Sequence, residues 1–477
     1  MTGRPETDVR LDVAPDSARA IPTAIREETF DIAILGGFSG RPASGQLVPI
    51  AVDRDDLDAV LAGFAPAIGL GASGAAERLD VGFGAVDDFH PDALVARVPL
   101  FRSIRALASG GAPAAQRDIP PADLAPRAPI REMLEGSVLD HIVAKEQGED
   151  RPDPLAEWIE QVVAPHRVDA RDEGEGRLNL DVERLVADGM RALLHDASFQ
   201  RLEALWRGVE FLVRRVETDA RLRIWLVDVT QEALTADRTE ASTGGSLLGD
   251  LLRGGAGPGG DPWSVVAATW AYGPEPRDLV PLREAARLCS QSGAIFLAGG
   301  EPGLAAVLAL PDLLDRSASA EPPLLWEAFR REPEARSVGL LVPRLLLRLP
   351  YGDDASPCER LDFDETGSDP GFDAYLWGSP VFAALSLLAN AFDAAGAEDL
   401  WRAVRPEVGD LPLHVRRIGG EAVAAPCTEV ALTEHAADRL LAAGLMPLAW
   451  LKDSDRVRLV RFQSVASPPS GLEIGRR

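Results

Sequence analysis

The stretch from Asp196 to Val213 limits what this chain can fold into more than any other. Phe199, Leu202, Leu205, Trp206, Val209 and Leu212 fall at i, i+3, i+4 spacing and form one apolar helical stripe. Asp196 or Ser198 can cap its start, because either side chain accepts a hydrogen bond from an unpaired first-turn amide. After a turn at Thr218-Asp219 comes Leu222–Val229, an apolar run that reads as a buried strand. Spacing alone gives a helix packed on a sheet and nothing more.

Residue order adds to this. Phe199, Gln200, Leu202, Glu203, Trp206, Arg207 and Gly208 spell Phe-Gln-x-Leu-Glu-x-x-Trp-Arg-Gly. That pattern resembles the signature of the large contractile-sheath subunit of bacterial type VI secretion systems, called TssC, VipB or ImpC. Pro343, Arg344, Leu346, Arg348, Pro350, Tyr351 and Gly352 resemble the same family's Pro-Arg-x-Leu-x-Arg-x-Pro-Tyr-Gly, followed by Trp377-Gly378. Pro426–Val430, Gly444–Leu448 and Phe462-Gln463-Ser464 match its closing motifs in order.

The first part of the chain carries a second resemblance. Phe30–Leu35 is a buried-strand pattern that runs into Gly36-Gly37-Phe38-Ser39-Gly40-Arg41. Pro49–Leu61 reads as a strand, a cap at Asp53 or Asp55, and a helix with Leu57, Val60 and Leu61 inward. Phe89-His90-Pro91-Asp92 opens a further helix. This succession is similar to the small sheath subunit (TssB, VipA or ImpB) over about residues 30–107. The chain is thus read as a small subunit fused to a large one, without the small family's long C-terminal helices.

The implied fold class is mixed α/β: sheath-type domains, as in contractile phage tails, with mixed sheets flanked by helices. The expected organisation is a mobile arm at 1–29, a small-subunit-like domain at 30–110 and a Pro/Gly linker at 111–136. N-terminal helices at 137–177 and a large-subunit-like core at 178–477 complete it. In the first of those helices Val138, Leu139, Ile142 and Val143 share a face. They form either a recognition helix for a ClpV-type unfoldase, as the resemblance implies, or a helix docked on its own domain. Gly244-Gly245 and Gly254–Gly260 bracket a short Leu-rich helix, and together they read as a flexible surface loop.

Composition narrows the function classes. The formal charge is −26, from 75 acidic and 49 basic residues, which repels phosphate-rich partners and excludes a general nucleic-acid binder. No run of about 18 apolar residues predicts a membrane span, and the N-terminus has no hydrophobic signal core, so a cytoplasmic protein is expected. Cys289, Cys358 and Cys427 form no pair motif, and the six histidines show no ligand spacing, so no metal is expected.

No catalytic set emerges, and no cofactor is expected. Gly69–Gly74 spells G-x-G-x-x-G, but Leu79–Phe83 resumes as an apolar run too soon for the helix a dinucleotide site needs. The acids at 353–354 and 362–369 sit in a polar loop and read as a solvated face. Arg344 and Arg348 suit either an acidic partner or internal carboxylates. Trp206 and Trp377 read as core.

The resemblance implies a helical polymer of six-fold rings around an Hcp tube, anchored on baseplate components and contracting to drive the tube into a target cell. It also implies strands exchanged between copies. The candidates are the N-terminal arm with strand 30–35, and the alternating stretch Val457, Leu459, Val460 and Phe462. The last 26 residues carry six bases against three acids, suiting either an acidic neighbour or a solvated tail. The alternative is a sheath-derived cap, nucleator or baseplate adaptor that does not polymerise.

Overall fold

The computed structural model describes residues 28–41, 45–70, 79–108, 175–240, 246–257, 259–315, 321–353, 355–366, 374–418 and 421–472. The expected arm up to residue 27, the 111–136 linker and the helix of Val138, Leu139, Ile142 and Val143 lie outside the described residues.

The strands in chain order are β1 (Phe30–Gly36), β2 (Ile50–Val52), β3 (Ala67–Leu70), β4 (Leu79–Gly82), β5 (Leu222–Asp228), β6 (Val265–Tyr272), β7 (Ile295–Gly300) and β8 (Val338–Val342). They continue with β9 (Leu345–Leu346), β10 (Trp377–Gly378), β11 (Glu407–Val408), β12 (Val415–Ile418), β13 (Glu421–Ala424), β14 (Leu445–Trp450) and β15 (Val457–Leu459). Nine form one sheet in the order β11-β15-β14-β8-β7-β6-β1-β5-β2. From β5 to β14 all neighbours are parallel; β2, β15 and β11 join antiparallel at the two ends.

Parallel strands need crossovers that cover both faces of a sheet, so their strands read as unbroken apolar runs. That is why β1 and β5 were visible in the sequence. Successive residues point to opposite faces: Ile32 and Ile34 of β1 enter one core, Ala33 and Leu35 the other. The first core receives helices Glu175–Leu194, Ala197–Val213 and Val381–Ala395; the second receives Leu247–Gly254, Pro276–Ser292, Leu324–Arg330 and Glu434–Ala442.

β1 lies between β5 and β6, with Phe30 opposite Leu222 and Ile32 opposite Val265. The 30–110 segment and the 178–477 segment therefore share one sheet. Buried Asp31 fixes the register of this junction. Arg223 clamps it with Nε to Oδ1 at 2.8 Å and Nη2 to Oδ2 at 2.7 Å, and Trp225 Nε1 donates to it at 2.9 Å.

Three local readings are corrected. The Leu57–Phe64 helix starts after Asp56, whose side chain makes no capping bond to the first turn and accepts from the Asp53 amide at 2.8 Å. Asp53 instead accepts from the Asp55 and Asp56 amides, making a side-chain turn that leads the chain in. The short Leu-rich helix before Gly255 is docked rather than part of a flexible loop: Ser246 caps it, and it buries Leu248, Leu251 and Leu252. Glu365, in the acidic stretch read as solvated, is 2% exposed.

Gly69 lies on β3, paired antiparallel to Asp80 of β4. Gly69 and Leu70 of the G-x-G-x-x-G match thus end a strand, and the rest of the match lies outside the described residues. Among the described residues no helix is long and apolar enough to cross a membrane.

Candidate functional site

The parallel strands run β5-β1-β6-β7-β8-β14, which in chain order is 2-1-3-4-5-6, a doubly wound arrangement. Such sheets hold ligands at the carboxyl ends of the strands where the winding reverses, here between β1 and β6. In this protein that place is filled by its own side chains. A Cβ on Gly36 would lie 2.9 Å from Leu205 and 3.1 Å from Thr269. Trp206 Nε1 donates to the Phe38 carbonyl at 3.1 Å, and Phe38 and Phe64 pack edge-on to the Trp206 ring at 5.3 and 5.7 Å.

Gly40 has φ 68°, and a Cβ there would lie 2.4 Å from the Ala67 carbonyl oxygen. Only glycine meets both demands. The resulting turn seats Phe38 in the core and lets the Ser39 amide donate to Asp228 at 3.1 Å, while Arg41 stays exposed.

One turn along the Ala197–Val213 helix from Trp206, the signature becomes ionic. Glu203 is fully buried. It accepts from Arg207 Nε at 2.7 Å, Arg348 Nε at 2.7 Å and Arg348 Nη2 at 3.2 Å. The other side of Arg348 holds Glu365, Nη1 to Oε2 at 2.7 Å and Nη2 to Oε1 at 2.9 Å. Glu365 also accepts from the Tyr351 amide at 2.8 Å, and its own amide donates to the Tyr351 carbonyl at 2.8 Å. Arg207 Nη2 donates to the Tyr351 hydroxyl at 3.1 Å, and the Arg348 guanidinium lies 4.2 Å from the centre of that ring. Two carboxylates and two guanidinium groups balance in charge.

Electrostatics follow from this packing. Burial opposes charge on Glu203, but Arg348 and Arg207 outweigh it and hold the carboxyl below its usual range. Burial likewise works against the Arg348 charge, and Glu203 with Glu365 reverses it, so the guanidinium is held more firmly than usual. Burial pushes the Tyr351 phenol up to about 12. Such a network is a fastener: its donors meet internal carboxylates, the Tyr351 hydroxyl and the Leu349 carbonyl.

The small-subunit-like segment docks on it. His90 packs edge-on to Tyr351 at 4.8 Å, and Phe89 packs edge-on to Phe199 at 5.7 Å. The Asp92 carboxylate accepts from the Glu359 and Arg360 amides at 2.9 and 2.8 Å. Burial, opposed by Asp92, lowers the His90 pKa below its ordinary 6.5.

A pH dependence follows. Below 6.5 the unfolded chain takes a proton that folded His90 resists, so its contribution is complete above 6.5 and is lost as pH falls. Depressed Glu203 contributes fully above its ordinary 4.5 and loses that as pH drops through its lower folded value. Urea midpoints are expected to be level above pH 7, to decline below 6.5, and to fall faster below 4.5. His90→Asn keeps an acceptor at this helix cap and is expected to remove the upper decline alone; an unchanged profile in that variant would contradict the assignment.

Gly208 closes the motif. A Cβ there would lie 2.1 Å from the Phe382 ring, so Gly208 is where the Val381–Ala395 helix touches this one. Gly208→Ala is expected to cost about 1–3 kcal/mol or more by overpacking, read as a urea midpoint shift.

The remaining signature residues serve as structural clasps. Leu202 is buried in the first core, and Gln200 sits half-buried on the helix with its amide donating to the Asp196 carbonyl. Arg344 pairs with Glu429, Nε to Oε1 at 2.8 Å, and its amide also donates to that carboxylate at 2.9 Å. Both arginines thus bind internal carboxylates. Pro343 and Pro350 are buried, as is Gly352, which has φ 153°. Trp377 is only half-buried, beside Tyr375 at 5.6 Å, while a Cβ on Gly378 would lie 2.1 Å from Leu347. Gln463 donates to the Leu441 and Leu445 carbonyls, and Ser464 Oγ to Ser470. The β15 strand ends at Leu459. Val457 and Leu459 are buried; Val457 pairs with Val408 and Trp450 and Leu459 with Leu448 within this chain, Val460 is exposed, and Phe462 packs on Trp401 at 5.6 Å.

Sequence reasoning missed Glu365, Asp31 and Arg223. A lone acid in a polar loop carries no signal of burial; its distance from Arg348, 17 residues, has no helical or strand periodicity.

The family model described as EvpB/VC_A0108, tail sheath N-terminal domain, matches residues 178–466. The type VI secretion system sheath protein TssC1 of Pseudomonas aeruginosa is 27% identical over 289 residues, which is 58% of this chain and 58% of that protein. The chain thus spans little more than half the length of the curated relative it matches. Both the ionic network and the closing motifs fall within residues 178–466; His90, Phe38 and β1 fall outside them.

Proposed function

Because the chain belongs to the EvpB/VC_A0108 tail sheath family, with a sheath structural role and a TssC-like large-subunit body, we propose that it is a fused subunit of a type VI secretion sheath. In this reading residues 30–110 are a TssB-like partner joined covalently to its TssC-like counterpart at 178–477, through the linker and helices at 111–177. The subunit assembles in the bacterial cytoplasm on itself and an Hcp tube, seated on baseplate components, and contracts. It performs no catalysis.

The observation that carries the fusion is the shared sheet. β1 is the middle strand of a sheet whose other parallel strands come from beyond residue 220, and Phe38, Phe89 and His90 pack on the family signature. A subunit that transmits force needs a body that moves as one piece, and the buried ionic network supplies rigidity where the two segments meet. The filled crevice between β1 and β6 supports the absence of catalysis. Recycling by a ClpV-type unfoldase through Val138, Leu139, Ile142 and Val143 belongs to the same proposal.

Negative-stain electron microscopy of the purified chain, with and without its Hcp tube, tests it. Long hollow tubules are expected. Single rings or monomers under both conditions would favour a cap or nucleator, a role that fits a small-subunit part without its long C-terminal helices.

A further inference from the structure

Two parts of the molecule compete for the Asp92 carboxylate. Its Oδ2 accepts from the Glu359 amide at 2.9 Å and lies 3.6 Å from His90 Nδ1, while its Oδ1 accepts from the Arg360 amide at 2.8 Å. Both amides belong to the stretch between Gly352 and Glu365, so Asp92 ties that loop to the small-subunit-like segment.

The tie requires a neutral imidazole. His90 Nδ1 accepts from the Asp92 amide at 3.2 Å, so it carries no proton. A proton placed there displaces that amide and gives the ring an N–H with Asp92 Oδ2 close by. A charge-assisted bond from imidazolium to carboxylate is the stronger competitor for that oxygen than a neutral backbone amide.

The surrounding charges hold the closed form neutral. Asp87 and Asp92 stand on the histidine's own side of the junction. Arg207 and Glu203 face it from the Ala197–Val213 helix, and Arg348, Tyr351 and Glu365 from the far side of the network, with His195 behind Glu365 at 3.8 Å. Burial and the two guanidinium groups oppose a cation at His90 more than the two aspartates favour it. An opened form takes the proton more readily than the closed one, so acid drives opening.

We propose that His90 is an acid-sensitive latch: a solvent proton on its Nδ1 draws Asp92 away from the Glu359 amide and releases the loop around Cys358. The release is local. Arg105 Nη2 still holds the Arg360 carbonyl at 2.9 Å, and Glu365 still holds the Tyr351 amide at 2.8 Å, so the loop loosens between fixed ends. The latch acts within one subunit and does not depend on the sheath reading.

Cys358 reports the opening. It packs half-buried against the first core, and burial, with Asp92 beside it, pushes its thiol up to about 12; Cys289 and Cys427 are buried. The full chain is labelled with 4,4′-dithiodipyridine, which reacts with thiols in acid as well as at neutral pH, and free glutathione alongside cancels the reagent's own pH dependence. Relative to glutathione, Cys358 labelling is expected to be level above pH 6.5 and to rise by up to about tenfold per pH unit below it, the slope of one linked proton. Cys289 and Cys427 are expected to stay unlabelled until the whole chain unfolds. His90→Asn is expected to flatten the rise, and His195→Gln to leave it in place. A flat wild-type profile would overturn the latch without recourse to any variant. So would a rise in which all three thiols label together, or one that survives His90→Asn.

Discussion

Arg348→Met is expected to destabilise the folded chain by about 3–5 kcal/mol, the largest effect of any single side chain in the network. The cost is not the value of an ion pair. Exchanging a whole buried pair for apolar groups is often neutral, whereas removing one partner strands a charge in a medium that cannot solvate it. Arg348 serves two carboxylates at once, and methionine would leave Glu203 with Arg207 alone and Glu365 with His195 at 3.8 Å. Adding Glu365→Gln to Arg348→Met is expected to recover part of the loss. Urea titration at pH 7.5 measures both; a loss under about 1 kcal/mol for Arg348→Met would mean that water reaches the network and the burial argument fails.

A second large effect concerns the sheet. Cutting the chain anywhere in 109–174 is expected to leave the 28–108 and 175–472 pieces associated through gel filtration. The 175–472 piece produced alone is expected to be aggregated or to lack near-ultraviolet dichroism. β1 buries Phe30, Ile32, Ile34 and Leu35 completely or nearly so. At about 1.5–3 kcal/mol for each such side chain, its removal withdraws roughly as much as a whole domain's net stability of about 5–15 kcal/mol. It also leaves facing edges of β5 and β6 without partners. A well-folded 175–472 piece would refute the shared-sheet argument.

Much of the fold could be read from the sequence because burial on both faces writes itself as continuous apolar runs. Phe30–Leu35 and Leu222–Val229 were visible as strands for that reason, and the Asp196 cap because its side chain meets the Ser198 and Phe199 amides. Strand order was not legible, since nothing local tells Phe30 that Leu222 lies opposite. The site divided along the same line. Motif order pointed to Glu203, Arg207, Arg348 and Tyr351. Spacing left the partners of Arg348 open, and Glu365 was misread because a charged residue among Asp362, Asp364 and Thr366 looks like any wet loop. The cap at Asp53 or Asp55 was misplaced for a subtler reason: both are good caps by residue type, and only the backbone decides that the helix starts after Asp56.

The position of β1 also governs the order in which the molecule can come into being. Asp31 leaves the ribosome 192 residues before the Arg223 that clamps it. At about 5–20 residues per second, the strand that ends up inside the sheet waits roughly 10–40 s for its first neighbour, and longer for β6. A nascent β1 is therefore a bare apolar segment needing shelter, and the sheet closes late, by insertion of its oldest strand between two newer ones. Slowing translation before residue 222 should lengthen that exposure and raise the aggregated fraction without changing a single residue.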